Sequence, residues 1–421
     1  MGALIAVAAL AAQGTGPAAS APPPSSPPPS SPTSETSAAS QVGSITYVDL
    51  EGGVGYSTNP NLSFESSSGA AFGRLSVRAV HTRVSARTTT VLSGFAQAAF
   101  YSKTYGTQKS LELSARHDAA VTEQLRIFAD ADLAYDQGGQ LDTRILATPP
   151  VPLPPGTTVP PVLLPPGSDF LTVTGRTYRA AGHLGAQWAL GPVDSLNLSS
   201  GVEHTVFKGF LNDLRYTTIP VTFGYERRIS TRTSVGARVT GQFTDYNGPA
   251  SSRAITPQVT IQTLLSPRLS FEGAVGASFV SSDDGVRTVH STGLSGNASL
   301  CSSGEHSQLC ARAAIDQGGT TVAGPARNIS LGVDYSRQLD ADQTIHFSIG
   351  ANRYTPVSSF VGPSFQRATY FRAAADYSRN IGRRLFSGVS LSGRKVAQNG
   401  PDPRTDLSAS LFLRYRLGDL R

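Results

Sequence analysis

From about residue 44 to its end, this chain alternates apolar and polar side chains one by one, in segments of about ten to fourteen residues. A period of two sends successive side chains to opposite faces of an extended strand. Residues 124–135 show it plainly. Leu125, Ile127, Ala129, Ala131, Leu133 and Tyr135 fall on one face, with Arg126, Phe128, Asp130 and Asp132 on the other. The last segment repeats the design: Leu407, Ala409, Leu411, Leu413, Tyr415 and Leu417 oppose Ser408, Ser410, Phe412, Arg414 and Arg416.

About eighteen such segments can be marked, with sixteen as the fallback; an even number suits a single-chain barrel whose strands run alternately up and down. Short turns are expected near residues 85–86, 120–121, 191–192, 230–231, 266–267, 340–341 and 382–383. Longer connectors are expected between them, near 58–71, 207–212, 246–252, 281–287, 318–326, 355–367 and 396–404. The longest, 136–174, is rich in proline, which cannot serve a central ladder. Sorting of connectors by parity is the habit of outer-membrane barrels, with turns on the periplasmic side and loops outside. The fold class read here is all-β: a transmembrane, antiparallel, up-and-down β-barrel in the bacterial outer membrane.

Composition agrees. Charged residues make up 15% of the 421, against roughly a quarter in soluble domains. No apolar run of about 20 residues, the length a membrane helix needs, occurs anywhere in the chain. A barrel turns only alternate residues to lipid, so both facts follow. Aromatic residues placed with the apolar set near segment ends fit interfacial girdles: Tyr56, Phe100, Tyr135, Phe207, Phe223, Tyr225, Phe243, Phe279, Tyr335, Tyr377 and Tyr415. Net charge is +6, but the basic residues are scattered rather than clustered, which argues against nucleic acid as a partner.

Residues 1–13 read as signal-peptide-like, an apolar core followed by Ala9-Leu10-Ala11. The basic stretch that precedes such a core is absent, which reads as a start assigned too far downstream. Residues 14–42 are a Pro, Ser and Ala-rich tail with nothing apolar to bury, hence expected to be disordered. The barrel is assigned to 43–421.

The inward face carries the charge. Its expected pore-lining residues are Arg74, Arg78, Glu112, Arg116, Arg126, Asp130, Asp132, Arg179, Arg238, Glu272, Asp334, Arg372, Asp376, Arg394 and Arg414, with His183, Glu203, Gln242, Gln258, Gln262 and His346 on the same face. Such residues need a wet lumen or partners across strands. Two readings stand: a salt-bridged filling, or an arginine-rich pore whose field favours anions.

Cys301 and Cys310 flank a short hairpin on the periplasmic side, both on the inward face, with Ser299 on one arm and Arg312 on the other. An even pair in an exported chain reads as a disulfide. A metal site with His306 is the rival, but two thiols and one histidine leave tetrahedral zinc incomplete. No metal, cofactor or catalytic residue is expected. The chain has no Gly-x-Ser-x-Gly elbow, phosphate loop or His-Glu-x-x-His. Gly52-Gly53-Val54-Gly55 reads as a closely packed strand.

The stretch Leu50-Glu51-Gly52-Gly53-Val54-Gly55-Tyr56-Ser57-Thr58-Asn59-Pro60-Asn61 resembles the opening strand and loop of the β-barrel porin 2 type, proteobacterial outer-membrane barrels of which some are associated with exopolysaccharide. The cysteine hairpin followed by Gly318-Gly319-Thr320-Thr321 is similar to members of that group. The resemblance implies outer-membrane lipids, the barrel assembly machinery and polysaccharide export components as partners. It also implies assembly through the final strand, where Tyr415 and Leu417 stand in for the usual terminal aromatic. The function expected is a channel or export component, for exopolysaccharide or other anionic solutes. The alternatives are a closed anchoring barrel with partner-binding loops and, third, a barrel enzyme.

Overall fold

The structure, a computed structural model, describes residues 43–60, 62, 68–102, 105–137, 176–208, 214–246, 248, 250–283, 285–320, 324–356, 367–398 and 403–419. The signal-like segment, the tail and nearly all of the proline-rich connector lie outside the described residues.

Eighteen strands follow one another: β1 (Gly43–Ser57), β2 (Ala70–Val84), β3 (Thr88–Tyr101), β4 (Thr107–Ala120), β5 (Leu125–Gln137) and β6 (Arg176–Ala189). Next come β7 (Asp194–Lys208), β8 (Leu214–Arg228), β9 (Thr233–Tyr246), β10 (Ser251–Ser266), β11 (Leu269–Asp283) and β12 (Thr288–Ser303). The last are β13 (Ser307–Thr320), β14 (Gly324–Gln338), β15 (Gln343–Pro356), β16 (Ala368–Asn380), β17 (Leu385–Gln398) and β18 (Arg404–Gly418). Each pairs antiparallel with its neighbours in sequence. β1 also pairs with β18, from Tyr47↔Gly418 to Ser57↔Ser408, which closes the barrel. All eighteen segments expected from the alternation are strands.

The burial pattern inverts that of a soluble protein. On β18, outward Leu411 is 59% exposed while inward Ser410 is 7% exposed. Leu75, Leu184, Val259 and Ile349 are likewise exposed, whereas Asp49, Glu51, Glu203 and Asp406 are buried. Apolar side chains thus coat the outside around the whole circumference. Soluble monomers rarely expose more than a few hundred Å² of contiguous apolar surface. Strands of 13 to 16 residues also exceed the roughly 9–11 residues a tilted strand needs to cross the hydrocarbon. The barrel is a membrane-spanning one, and an even-stranded antiparallel barrel of this kind is the outer-membrane form.

Two expectations need correction. The connectors do not sort fully by parity. β9 ends at Tyr246 and β10 starts at Ser251; β11 ends at Asp283 and β12 starts at Thr288; β13 ends at Thr320 and β14 starts at Gly324. These are as tight as the turns at the other end. Gly248 and Gly285 adopt positive φ there, which lets the chain reverse in few residues. Asp283 ties one of these turns by accepting from the Gly285 N–H. The longer connectors gather on the arc from β15 through β18 and β1 to β6. Second, Phe207 is not part of an outer girdle. It is buried, stacked on Tyr216. Tyr56, Phe100, Phe223, Phe243, Phe279 and Tyr415 do face outward.

Pro220 and Pro257 sit inside strands, each where a ladder skips positions. A missing amide explains the local gap, and the strands on either side hold the register.

Candidate functional site

The parity of exposed apolar residues fixes the lumen face of every strand. All fifteen expected pore-lining residues lie on it. They do not converge on one point; they form separate cross-strand networks around the wall.

The densest network spans β18, β1 and β2. Glu51 accepts from Arg414 at 3.0 Å and from Arg74 at 3.0 Å, so one carboxylate serves two guanidiniums. Beneath it Arg416 grips Asp49 with two bonds of 2.7 and 2.8 Å, and its guanidinium lies 4.3 Å from the centre of the Tyr47 ring. Bidentate geometry makes this the stronger kind of ion pair. Arg78 covers the Phe95 ring at 5.6 Å.

At the outer end of the same wall, Arg394 on β17 and Asp406 on β18 are 2.8 Å apart and nearly sealed from solvent. Together they hold the connector after β1. Asp406 accepts from Ser57 Oγ at 2.6 Å and from the Asn59 N–H at 2.9 Å. Arg394 donates to Pro60 O at 3.0 Å, and Arg404 to Leu62 O at 2.7 Å. Leu62 then packs on Tyr370 and Val396. The described part of this connector is therefore fixed against the inner wall. A cavity of about 140 Å³ lies along this wall beside Glu51, Arg74, Arg78, Asp376 and Arg394.

The wall from β4 to β7 is also paired. Arg126 meets Asp118 at 2.5 Å, His183 meets Asp130 at 2.8 Å and Arg179 meets Glu203 at 3.1 Å. Further round, Arg312 and Asp334 are 2.8 Å apart, and His346 and Asp376 3.8 Å apart. Arg238 donates to Gln258 Oε1 at 2.6 Å and to Asn297 Oδ1 at 3.3 Å, with Glu272 close enough to act on it electrostatically. Glu112 and Asp132 face inward among these groups. Arg116 and Arg372 are inward too, and among the described residues neither is within an ion pair.

Four carboxylates of these networks were not expected in the lumen: Asp49, Glu51, Asp118 and Asp406. The signal was present, since Asp49 and Glu51 flank outward Leu50 in strict alternation. Without them the inner face reads as richer in arginine than it is.

Cys301 and Cys310 are directly opposed across β12 and β13 and joined by a disulfide, with Cα atoms 4.1 Å apart. Both sulfurs are spent in that bond, so the metal alternative with His306 falls. Ser299 and Arg312 are opposed on the same two strands.

No family model matches this chain, and no curated protein does. Among solved structures, Pseudomonas aeruginosa OccK2 (OpdF) shares 9% identity, covering 90% of this chain and 98% of that one, with a TM-score of 0.45. The FrpB iron transporter of Neisseria meningitidis, F5-1 variant in its apoprotein form, shares 9%, covering 89% and 81%, at 0.45. Acinetobacter baumannii OccAB3 shares 8%, covering 89% and 99%, at 0.41. Likeness at this level assigns neither a family nor a substrate.

Proposed function

We propose that this chain is an outer-membrane channel for polar solutes, with a mild preference for anions. The observation that supports it is the inner face itself. Charged residues of both signs are held flat in pairs along neighbouring strands, as around Glu51, Arg74 and Arg414. That arrangement neutralises most of the wall while leaving it polar and wettable. Arg116 and Arg372 stand outside these pairs and are the positive charges on which the anion preference rests; the inward carboxylates Glu112, Asp132 and Glu272, also outside the ion pairs among the described residues, oppose them and keep it mild. Carriage of an acidic exopolysaccharide is the finer form of this reading; it draws on the sequence resemblance and on those two arginines. The same reading takes outer-membrane lipids and the barrel assembly machinery as partners.

The test is single-channel recording of the purified barrel in planar bilayers under a salt gradient. Steady conductance with a reversal potential displaced towards the anion is expected, and a soluble polyuronate should block it from one side. A folded barrel that never conducts ends the channel reading in favour of a closed anchoring barrel. Conduction without polyuronate block ends only the polysaccharide form.

A further inference from the structure

Among the described strand pairs, one seam parts while both of its strands run on. The β12–β13 ladder stops at Gly296↔Ile315, although β12 reaches out to Thr288 and β13 to Thr320. β12 keeps its ladder with β11 out to Asp283↔Thr288. β13 keeps its ladder with β14 out to Thr320↔Gly324. Only the ladder between the two is missing there.

The freed part of β13 turns into the lumen. Ser278 Oγ on β11, two strands away, donates to Gln317 O at 2.6 Å. The Gln317 amide donates to Ser291 Oγ on the inner side of β12, and Gln317 is 1% exposed. β13 therefore passes behind β12. Gly293 makes room for this, because a Cβ there would collide with the Gln317 side-chain amide.

The edge of β12 over residues 288–295 is thus left without a ladder partner on the β13 side. Bare backbone is not tolerated against hydrocarbon; it persists where water or a polar ligand reaches it. A second arrangement is available to the same residues. Continuing the register would set Ser295 opposite Asp316 and Leu294 opposite Gln317, and close the wall. The two flanks of the seam differ in chemistry. Ser291, Ser295 and Asn297 line its inner side, where Ser295 accepts from Gln258 at 3.0 Å. Leu294 is exposed on its outer side. A molecule lying across the seam meets hydrogen-bonding groups at one end and apolar surface at the other. The Cys301–Cys310 disulfide ties the same two strands at the foot of the paired part, so a split starting above cannot run down the wall.

We propose that the β12–β13 seam is a lateral passage for an amphiphile bearing an alkyl chain, between the lumen and the outer leaflet, with residues 315–317 as its moving edge and the disulfide as its stop. It rests on the channel reading, because the polar head of such a molecule travels in the lumen.

Two engineered cross-links separate the states. Ser295→Cys with Asp316→Cys ties the closed register. Gly293→Cys with Gln317→Cys ties the arrangement seen here, where the positions are suitably close: a Cβ built on Gly293 lies 3.5 Å from that of Gln317. The probe is a fluorescent dodecanoate, its uptake measured in cells whose outer membrane carries each variant; conductance of each is recorded in planar bilayers. The closed tie is expected to reduce uptake to that of cells lacking the protein, with recovery in reductant, while conductance persists. The second tie is expected to leave uptake intact. Wild-type uptake through the closed tie overturns the proposal, as does a wild-type protein that takes up no dodecanoate while conducting ions. Absence of conductance in every form strikes the channel reading instead. If the closed tie fails to assemble, Cys301→Ser with Cys310→Ser decides: uptake should rise once the stop is removed, and unchanged uptake overturns the proposal.

Discussion

Arg394 and Asp406 meet at 2.8 Å across β17 and β18, with side chains 7% and 3% exposed, and between them they bind four successive positions, Ser57 at the end of β1 and the first three residues of the connector that follows. A surface ion pair of this length would contribute little. Here each partner also satisfies groups that have no other route to solvent, so its removal leaves buried polarity behind.

Asp406→Ala should therefore destabilise the barrel by about 3–5 kcal/mol, the range for stripping one member of a buried pair. Urea unfolding in lipid vesicles measures it. Replacing Arg394 as well, by Met, should cost less than the sum of the single changes, since the uncompensated charge is gone. Additive costs would mean that the two residues act independently. Released from Asp406, the connector should also leave the wall, and conductance should change in the single variant.

Glu51→Gln removes one negative charge from between Arg74 and Arg414 while keeping the size of the side chain. The reversal potential in a salt gradient should move further towards the anion, and the barrel should still fold. An unmoved potential would place this network off the conduction path.

Arg372→Glu acts in the opposite sense. Arg372 lies opposite Arg394 on the inner wall and has no ion pair among the described residues. Reversing its charge should shift selectivity towards cations, most clearly at low salt, where screening is weak. Equal shifts at low and high salt would count against a direct field effect.

Leu411 and Ser410 are neighbours on opposite faces of β18. Leu411 lies between outward Val54 and Val389 on the adjoining strands, at mid-strand. Leu411→Arg should cost about 2–4 kcal/mol, the range for a cation at the centre of the bilayer. Ser410→Arg should cost clearly less and alter conductance instead. Equal costs would remove the assignment of Leu411 to the lipid side.

The sequence was sufficient for the repeating part of the fold because the evidence for it is local. Whether Leu411 and Ser410 point apart depends only on the two-residue period of an extended chain, so eighteen strands, their faces and the inward set from Arg74 to Arg414 could be read directly. The paired cysteines were legible for a similar reason: a short hairpin places Cys301 and Cys310 nearly opposite whatever surrounds it. Asp49 and Glu51 obeyed the same period and could have been placed with them.

Other features depended on residues far apart in the chain. Arg414 meets Glu51, and Arg416 meets Asp49, only because β18 closes on β1 in one register, which no segment encodes by itself. The capture of Ser57, Pro60 and Leu62 by Asp406, Arg394 and Arg404 joins positions more than three hundred residues apart. The parted β12–β13 seam could not be placed from the alternation: past Ile315 β13 reads Asp316-Gln317-Gly318-Gly319-Thr320, so the apolar face fades there, but a faded pattern does not say that the ladder with β12 has ended. Side-chain direction is set by the backbone of each strand alone, whereas partner choice is set by how the sheet shears and closes, and that is a property of the whole barrel.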